Sequence, residues 1–579
     1  MSAQELITEH LDLWTSATTH AANGRGKNGK VELTGIQKLR ELILELAIRG
    51  KLVEQNSDDE PVSVLFDKIE QEKQVQVKAK TIRKPKELPA INAAEYPFPI
   101  PANWQYCRLN DIGVWGSGAT PRRGNTSYYG GGIPWLKSGE LYQDFVNTSE
   151  ETITDLAIQE TSVRMNNPGD VLIAMYGATI GKASILNVPG TTNQAVCACT
   201  PWPGISNKFL LLLLKAYRSR FVEMGAGGAQ PNISREKIIG TVLGLPPEQE
   251  QHRIVQKVDE LMALCDRLEQ QTSDQLEAHE TLVDTLLNTL TQSENATELA
   301  DNWARLAAHF DTLFTTEQSI DKLKQTILEL AVMGRLVEQS PDDDSALSLL
   351  EKISSEKKGL IKEGSLKKKR DFAPISEGEK LFTLPAGWEW ARLKDVFINI
   401  VDCPHSTPKF VESGKTCLDT NSFKAGKIIP SKVRCVSDET FVARNNRLKP
   451  EPNDIVFARE GSVGESVVIP EGLECCLGQR VMLFRPSTYT NPHFLRITLS
   501  NPLALETLLS MHKGIGAKHV NVSDMRGYVI ALPPEQEQDR IVRKVDELMA
   551  FCDQLKERLS RTSEIRCQLA EAVVEGALN

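Results

Sequence analysis

The chain has 579 residues, of which 40% are hydrophobic and 25% charged, and its formal net charge is −10. This length exceeds what one hydrophobic core serves, so we expect three or more structural units. No stretch approaches the roughly 18 apolar residues of a membrane-spanning helix, and the polar N-terminus lacks a signal-peptide layout, which excludes a membrane or secreted protein and favours the cytoplasm.

The first predicted helical block of the chain occurs twice. IQKLRELILELAIRGKLVEQ at 36–55 matches IDKLKQTILELAVMGRLVEQ at 320–339, an offset of 284 residues. A charged stretch follows each copy, and PANWQYCRL at 101–109 then matches PAGWEWARL at 385–393 at the same offset. The chain therefore consists of two related halves.

A variable segment of about 140 residues follows in each half. Short apolar runs bounded by Gly, Pro, Asn and Ser, such as DVLIAMYG at 170–177 and DIVFAREG at 454–461, indicate strands and turns. Residues 103–244 carry 12 Lys and Arg against 10 Asp and Glu, and residues 387–531 carry 18 against 15. The acidity lies in the helical parts, so these two segments remain free to approach phosphate.

The motif LPPEQEQ closes each variable segment and opens a long predicted helix. It begins at Leu245 and again at Leu532, and the 24-residue stretches that start there agree at 20 positions. Two prolines followed by carboxylates suit a helix N-terminus. Apolar or small residues then recur at spacings of three and four, which predicts a coiled-coil seam: Val258, Leu261, Cys265, Leu268, Thr272, Leu276, His279, Val283, Leu286 and Leu290, repeated at Val545, Leu548, Cys552, Leu555 and Leu559.

These patterns predict an α+β fold in which two mixed α/β globular domains are joined by an antiparallel pair of long coiled-coil helices. An internal pseudo-two-fold repeat relates the halves, and helical N-terminal and central regions complete them. The predicted domains are a helical region with a basic linker at 1–100, a globular domain at 101–245, a long helix at 246–295, a central helical region with a linker at 296–384, a second globular domain at 385–532, and a closing helix at 533–579.

Motifs for catalysis or metal binding are absent from the sequence. The eleven cysteines include no CxxC pair, and Cys265 and Cys552 are interpreted as helix-packing residues. GATIGKAS at 177–184 has three residues between its glycines where a phosphate loop has four. PDDDSA at 341–346 is interpreted as a solvated helix N-terminus, and the only Pro-Pro pairs stand in LPPEQEQ. We expect no active site and no metal site.

The sequence closely resembles the specificity subunit of type I restriction-modification systems. Four features carry this resemblance: the near-duplicate halves, PANW and PAGW, GDVLIAMYGATIG with its counterpart NDIVFAREGSVG, and the duplicated LPPEQEQ block. The helical blocks are most similar to the branch with a long N-terminal conserved region. The resemblance implies a non-catalytic subunit whose two target-recognition domains each bind one half of a split asymmetric DNA site.

The resemblance also implies partners and cofactors. Two modification subunits would dock on this chain, with two restriction subunits bound through them. S-adenosylmethionine, ATP and magnesium are expected in those partners, and no cofactor in this chain. Leucines of the repeated helical blocks are candidates for the docking, with packing inside the chain an equally good interpretation: Leu42, Leu46, Leu52, Leu328 and Leu336.

Polar, Gly-rich loops of the variable segments are the candidate DNA-reading surfaces, because Arg and Lys suit phosphate or guanine and Asn and Gln suit adenine. The candidates in the first segment are Thr120, Arg122, Arg123, Lys137, Tyr176, Thr179, Lys182, Asn193, Gln194 and Gln230. Those in the second are His405, Thr407, Lys409, Asn421, Arg459, Ser462, Gln479, Arg480, Lys518 and His519. For any one of them, ordinary loop solvation is an equal alternative.

Several other residues have a structural interpretation that we weigh against DNA contact. Arg459 closes a strand and is expected to project into a loop, with an ion pair as the alternative. Trp104 and Trp388 are expected in the core, and Asn232 and Asn521 are expected to cap turns. The basic linkers at 78–86 and 367–370 are interpreted as solvated tethers, although contact with DNA stays open.

Two other classes of function remain as alternatives. One is an enzyme with an unrecognised active site, which the missing motifs disfavour. The other is a coiled-coil scaffold that does not bind DNA, which leaves the two dissimilar, slightly basic globular segments without a purpose. Salt-dependent DNA binding separates the scaffold from the recognition subunit.

Overall fold

The chain forms two structural units, Met1–Gln275 with Thr562–Asn579 and Leu276–Arg561. The computed structural model describes the following residues: 3–20, 31–82, 87–226, 231–293, 296–367, 372–501, 505 and 519–578. None of the described helices is long and apolar enough to cross a membrane.

The first unit contains nine helices and twelve strands among its described residues. Its helices are α1 Ala3–Glu9, α2 Leu11–Ser16, α3 Thr34–Ile48, α4 Val62–Lys78, α5 Asp155–Glu160, α6 Asn207–Ala216, α7 Arg218–Gly225, α8 Arg235–Gly240 and α9 Glu248–Gln292, of which α9 continues into the second unit. Its strands are β1 Thr19–His20, β2 Val31–Glu32, β3 Gln105–Arg108, β4 Gly113–Ser117, β5 Tyr129–Leu136, β6 Phe145–Val146, β7 Thr152–Ile153, β8 Val171–Ala174, β9 Ala183–Leu186, β10 Thr191–Thr192, β11 Val196–Pro201 and β12 Val242–Leu245.

The second unit repeats this plan. Its helices are α10 Ala296–Ala308, α11 Phe310–Leu313, α12 Glu317–Val332, α13 Ala346–Lys362, α14 Leu393–Val396, α15 Asp438–Arg444, α16 Pro492–Ser500, α17 Val522–Gly527 and α18 Glu535–Leu578, of which α18 continues into the first unit. Its strands are β13 Glu389–Arg392, β14 Phe397–Asp402, β15 Phe410–Val411, β16 Lys415–Leu418, β17 Phe423–Lys424, β18 Lys427–Ile428, β19 Arg434–Val436, β20 Ile455–Ala458, β21 Ser466–Val468, β22 Cys475–Leu477, β23 Val481–Pro486 and β24 Val529–Leu532.

The two globular domains share one antiparallel sheet order although their sequences differ. The strands run β4-β11-β8-β9 in the first domain, with β6 added at the edge, and β14-β23-β20-β21 in the second. In each domain the first strand pairs with the last, as β3 with β12 and β13 with β24. The predicted strands at 170–177 and 454–461 are confirmed as β8 and β20, which are buried throughout. The mixed α/β character and the repeat are therefore both present.

The second glutamate of LPPEQEQ is a buried carboxylate that binds side chains from two distant segments. Glu250 accepts hydrogen bonds from Trp104 Nε1 at 2.9 Å and Gln55 Nε2 at 2.7 Å. In the second unit Glu537 accepts the equivalent bonds, from Trp388 Nε1 at 3.0 Å and Gln339 Nε2 at 3.1 Å. Both carboxylates are 0% exposed, and burial raises the pKa of Glu537. The expected core positions of the two tryptophans are confirmed.

The last glutamine of LPPEQEQ and an arginine that follows the motif also form the same contacts in both units. Gln251 Oε1 accepts the backbone N–H of Ser206 at 2.9 Å, and Gln538 Oε1 accepts that of Asn491 at 2.9 Å. The arginine two residues further on pairs with an aspartate, as Arg253 Nη1 does with Asp59 at 2.9 Å. In both halves, the motif therefore fixes the helix start to its globular domain and to the helical block.

Asp343, in PDDDSA, forms the matching ion pair with Arg540, 3.1 Å from Nη1 to Oδ1. Its side chain is 8% exposed, so the interpretation of this segment as solvated was wrong for this residue. Ser345 caps the helix that follows.

Each repeated helical block contacts two different stretches of the long helices. In the first unit, Arg40 on α3 binds Asp266 of α9 at 2.7 Å, and Lys38 lies 3.8 Å from Glu571 of α18. The second unit has the same arrangement with the helices exchanged. There Lys324 on α12 binds Asp553 of α18, and Lys322 binds Asp284 of α9 at 2.6 Å. The repeat relates the two ion pairs of the first unit to the two ion pairs of the second, one to one.

The predicted apolar positions of the long helices are largely buried. Val258, Cys265 and Val283 of α9 and Val545 and Cys552 of α18 are at most 6% exposed, and both cysteines are confirmed as packing residues. In the second unit, one hydrophobic core contains side chains from both long helices: Val283, Leu287 and Leu290 from α9, and Val545 and Cys552 from α18. Leu42, Leu46 and Leu52 are buried within the first unit, so packing inside the chain accounts for them.

A second pair of equivalent contacts ties each linker end to the base of its globular domain. Arg108 binds Glu95 at 3.0 Å and the Gly240 carbonyl at 2.7 Å. Arg392 binds Glu379 at 2.8 Å and also donates to the Gly527 carbonyl. The hydrogen bond from Arg392 holds the pKa of Glu379 at about 2.

This pKa predicts a pH-dependent contribution to stability. Since the folded pKa of Glu379 lies below its ordinary value of 4.5, the ion pair stabilises the fold above about pH 4.5, and the contribution is lost as the pH falls towards 2. Glu379→Gln should lower the apparent melting temperature at pH 7. The lost stability should be no more than about 1 kcal/mol, because the Glu379 side chain is 38% exposed. The difference from the unmodified protein should shrink below pH 4.5. Glu377→Gln, at a nearby carboxylate that is 88% exposed, is the control, and an equal effect of both substitutions contradicts the assignment.

Candidate nucleic-acid interface

The loops predicted to read DNA in the first domain meet at one end of the central sheet. Because β11 is antiparallel to β4 and β8, the ends of β4 and β8 lie beside the start of β11, with Cys197 paired to Ser117 and Val196 to Ala174. Strand β10 is parallel to β5 and brings Asn193 beside Leu136, whose carbonyl accepts its N–H at 2.9 Å. Nine of the ten predicted residues follow or precede these strand ends, and Gln230 lies outside the described residues.

The second domain gathers its loops in the same way. The ends of β14 and β20 lie beside the start of β23, with Asp402 paired to Met482 and Ala458 to Val481. The Gly478 N–H donates to the Leu418 carbonyl at 2.6 Å, which brings the loop before β23 beside the loop after β16. His519 reaches the same end through an isolated bridge with Glu460, and Lys518 lies outside the described residues.

A threonine and a glutamine are hydrogen-bonded at corresponding places of the two loop clusters. Thr120 donates to Gln194 Oε1 in the first domain. Thr407 donates to Gln479 Oε1 at 3.1 Å in the second. Each threonine precedes a proline, and each glutamine precedes the second strand in its sheet order, β11 or β23. Donation by the threonine occupies the amide oxygen, and in the second domain Gln479 Nε2 donates to the His405 carbonyl at 3.1 Å.

Two of the predicted cations in the first domain share one carboxylate. Arg123 Nη1 and Lys137 Nζ each lie 2.6 Å from Glu151, and these hydrogen bonds lower the pKa of Glu151 and raise those of both bases. Arg123 also lies over the ring of Trp135, 4.8 Å from its centroid. Arg122 is exposed and forms no ion pair with a described residue. Of these three cations, it has the most freedom to contact phosphate.

Arg459 does not project freely into a loop as expected. Its Nη1 lies 2.6 Å from Asp402 Oδ2, its side chain is 14% exposed, and His405 Nε2 approaches the same carboxylate at 3.4 Å. Arg480 is more exposed and lies 3.5 Å from Glu460. The ion pair, which was the alternative interpretation of Arg459, is the one observed.

The remaining predicted residues are mostly exposed and take part in loop hydrogen bonds. Thr179 Oγ1 donates to the Tyr176 carbonyl at 2.7 Å, and Asn193 Oδ1 accepts the Ala195 N–H at 3.0 Å. Tyr176 itself is 43% exposed. The other four, one of which is half-buried, are Lys182, Lys409, Asn421 and Ser462.

Asn232 and Asn521 do not cap the helices that follow them. Ser234 accepts the Lys237 N–H at the start of α8, whereas Asn232 forms a backbone bridge with Tyr176. Asn521 stands at the N-cap position of α17 but its side chain makes no capping bond. The expected capping of turns by the two asparagine side chains stays a prediction.

Arg444 is a positioning residue that the sequence did not reveal. Its guanidinium is buried and donates to carbonyls on both loops of the second domain, Ser406 at 3.0 Å, Pro404 at 3.2 Å and Gly478 at 2.9 Å. It thereby holds the loop of His405 and Thr407 against the loop of Gln479 and Arg480. An arginine at the end of a short helix carries no signal of this role.

No group of three or more His, Cys, Asp or Glu side chains among the described residues is arranged to hold a metal ion. Each globular domain has its own cluster of polar loops at one end of an antiparallel sheet, and each cluster contains cations, amides and hydroxyls. These groups suit contacts to base edges and phosphate oxygens.

Sequence comparison identifies the class. Residues 101–278 and 385–563 each match the type I restriction modification DNA specificity domain. The chain belongs to this family, and it is a DNA-recognition subunit rather than an enzyme. Each match extends beyond the globular part into α9 or α18.

Relatives match along the whole chain. It is 36% identical over 597 residues to the type I restriction enzyme EcoAI specificity subunit of Escherichia coli and 35% identical over 613 residues to the EcoEI specificity subunit of the same species, with 100% of each chain covered. The HsdS subunit from Thermoanaerobacter tengcongensis is 19% identical, with 84% of this chain and 99% of that chain covered and a TM-score of 0.39. At that TM-score the similarity does not bear on the fold.

Proposed function

We propose that the two loop clusters bind the two halves of a split asymmetric DNA site, one half for each globular domain. The observation that supports this most is the conserved sheet order with different loops, which gives two unlike reading surfaces on one framework. Long-read methylation mapping in a host that carries this chain with its partner subunits tests the proposal. One continuous site, or no sequence preference, contradicts it.

We also propose that α9 and α18 form an antiparallel coiled coil that separates the half-sites. The exchanged contacts of the two helical blocks support it, because Arg40 and Lys38 reach the first part of α9 and the last part of α18, whereas Lys324 and Lys322 reach the opposite parts. On this arrangement the length of the helices sets the number of unread base pairs.

The acidic helical surface is the proposed docking site for partner subunits. Leu282 of α9 and Leu569 of α18 are equivalent under the repeat and are 50% and 52% exposed. Two equivalent surfaces suit two copies of one partner with approximate two-fold symmetry. We propose two modification subunits there, with two restriction subunits bound through them in the cytoplasm. S-adenosylmethionine, ATP and magnesium would act in those partners, with no cofactor in this chain.

The two glutamines predict separable half-site effects. Gln194→Leu should weaken binding to the first half-site only, and Gln479→Leu to the second only, each by about 1–3 kcal/mol if the amide contacts an adenine edge. Competition binding of the assembled complex to duplexes altered in one half-site measures this. Gln159→Leu, at an exposed position on α5, is the matched control. Equal loss at both half-sites with either variant contradicts the assignment.

A further inference from the structure

A short basic hairpin stands beside the loop cluster of the second domain. Strands β17 and β18 pair through the turn Ala425-Gly426, and Lys424 is directly opposite Lys427. Both turn residues have positive φ, +48° and +77°, as in the tight turns that suit two-residue hairpins. Two like charges directly opposite one another destabilise a strand pair, so an anion bound between them would stabilise it.

The hairpin is held firmly at both its base and its turn. Phe423 is 2% exposed, in a core with Cys403, Leu418 and Leu477 at the roots of the reading loops. Glu465 Oε2 accepts the Ala425 N–H at 2.6 Å, which fixes the turn to the end of the loop before β21. A side chain at Gly426 would lie 2.7 Å from Arg496 Nη1, so a third cation lies against the turn.

Both lysines are exposed, and neither forms an ion pair with a described residue. They also lie close to the proposed reading residues. The hairpin follows directly after the turn that contains Asn421, and Glu465 ends the loop that contains Ser462, whose carbonyl accepts the Glu465 N–H at 3.1 Å. The hairpin therefore carries two exposed lysines without an ion-pair partner among the described residues, at the same end of the sheet as the reading loops.

The first domain lacks this feature at the corresponding place. Its turn after β5, where Glu140 accepts the Lys137 N–H at 2.7 Å, matches the turn after β16, where Ser422 accepts the Asp419 N–H at 3.0 Å. The chain then continues as Tyr142-Gln143-Asp144, and Asp144 pairs with Lys215. The cationic hairpin is therefore specific to the second domain.

We infer that Lys424 and Lys427 clamp the DNA phosphate backbone at the second half-site without reading its sequence. The inference rests on the proposed function, since it requires DNA at the loop cluster. A phosphate oxygen between the two ammonium groups relieves their repulsion, and lysine suits a phosphate as a point charge. The clamp contributes affinity and orientation on one side of the split site only.

The test uses the complex assembled with its modification subunits and a duplex that contains the methylation-mapped site, with fluorescence anisotropy recorded across salt concentrations. Lys424→Gln with Lys427→Gln should reduce the slope of log K against log salt by about 0.9, since the two lysines share one phosphate and each phosphate contact contributes about 0.9. Affinity for specific and non-specific duplexes should fall alike, and the methylated motif should be unchanged. Lys424→Arg with Lys427→Arg, which keeps the charge, should retain the slope.

The control is Lys352→Gln with Lys380→Gln, two lysines that already pair with Asp344 and Glu377, and it should leave the slope unaltered. An unaltered slope in the Lys424 and Lys427 glutamine variant overturns the clamp. A loss of binding to modification subunits in the absence of DNA also overturns it, because that loss would show that the two lysines contact protein. If the unmodified complex shows no preference for a bipartite duplex, the proposed function itself fails. This result is distinguishable from a failure of the clamp, because it is measured on the complex without substitutions.

Discussion

Glu537→Ala is expected to destabilise the second unit by about 1–3 kcal/mol, the cost of one unsatisfied buried donor. The substitution leaves the buried N–H of Trp388 without its acceptor, whereas the exposed amide of Gln339 keeps its bond to the Gly334 carbonyl at 2.8 Å. Amide hydrogen exchange in the full chain measures the effect, because a chain of two units does not unfold in one step. Exchange should accelerate in β13 and β24, which join the globular domain to α18.

The chain offers its own references for this experiment. Strands β3 and β12 are the counterparts in the first unit and should keep their exchange rates in Glu537→Ala, whereas Glu250→Ala should reverse the pattern. Glu535→Ala removes a half-exposed glutamate from the same helix start and should cost far less. Glu537→Gln retains one acceptor oxygen and should fall between. Equal exchange in Glu535→Ala and Glu537→Ala would refute the role of the buried carboxylate.

Removal of one heptad from each long helix should shorten the unread spacer of the DNA site without changing either half-site. Deleting residues 272–278 and their repeat equivalents 559–565 removes roughly 10 Å of helix, at about 1.5 Å per residue. That length corresponds to roughly 3 base pairs of DNA at 3.4 Å each. Methylation mapping of the variant, assembled with its partners, reads both half-sites and the spacer together.

A length-preserving control separates the measuring role from other effects of the deletion. Replacing the exposed residues of both segments with alanine keeps the helix length and should leave the spacer as it is. Deletion from one helix alone shifts the apolar residues of α9 against those of α18 and should abolish methylation. A double deletion that methylates with an unchanged spacer contradicts the proposal that helix length separates the half-sites.

The long helices were the part of the fold that the sequence predicted best. The spacing of Val258, Leu261 and Cys265 depends only on the helical period, and the observed α9 begins at Glu248, three residues into LPPEQEQ. The burial of Glu250 could not be predicted, because it depends on Trp104, which lies 146 positions earlier. Local pattern specifies where a helix starts, whereas a buried polar contact depends on the tertiary fold.

The candidate site shows the same division. Loops were placed correctly at strand ends, since Gly, Asn and Ser mark where β8 and β20 stop. Asp402 pairs with Arg459 across 57 positions, and no spacing rule reports such a pair. Local sequence likewise does not predict the strand order of an antiparallel sheet. The order shared by the two sheets could therefore be found only in the structure.

The division of the chain has a consequence for synthesis on the ribosome. The second unit is continuous from 276 to 561, but the first includes residues from 562 onward. The carbonyl of Leu578 accepts hydrogen bonds from Arg49 and Lys51, and Ser563 donates to the Thr18 carbonyl. The first unit, which is translated first, therefore finishes folding last. Part of the packing surface of its N-terminal helices stays uncovered until residues 562 onward have been translated.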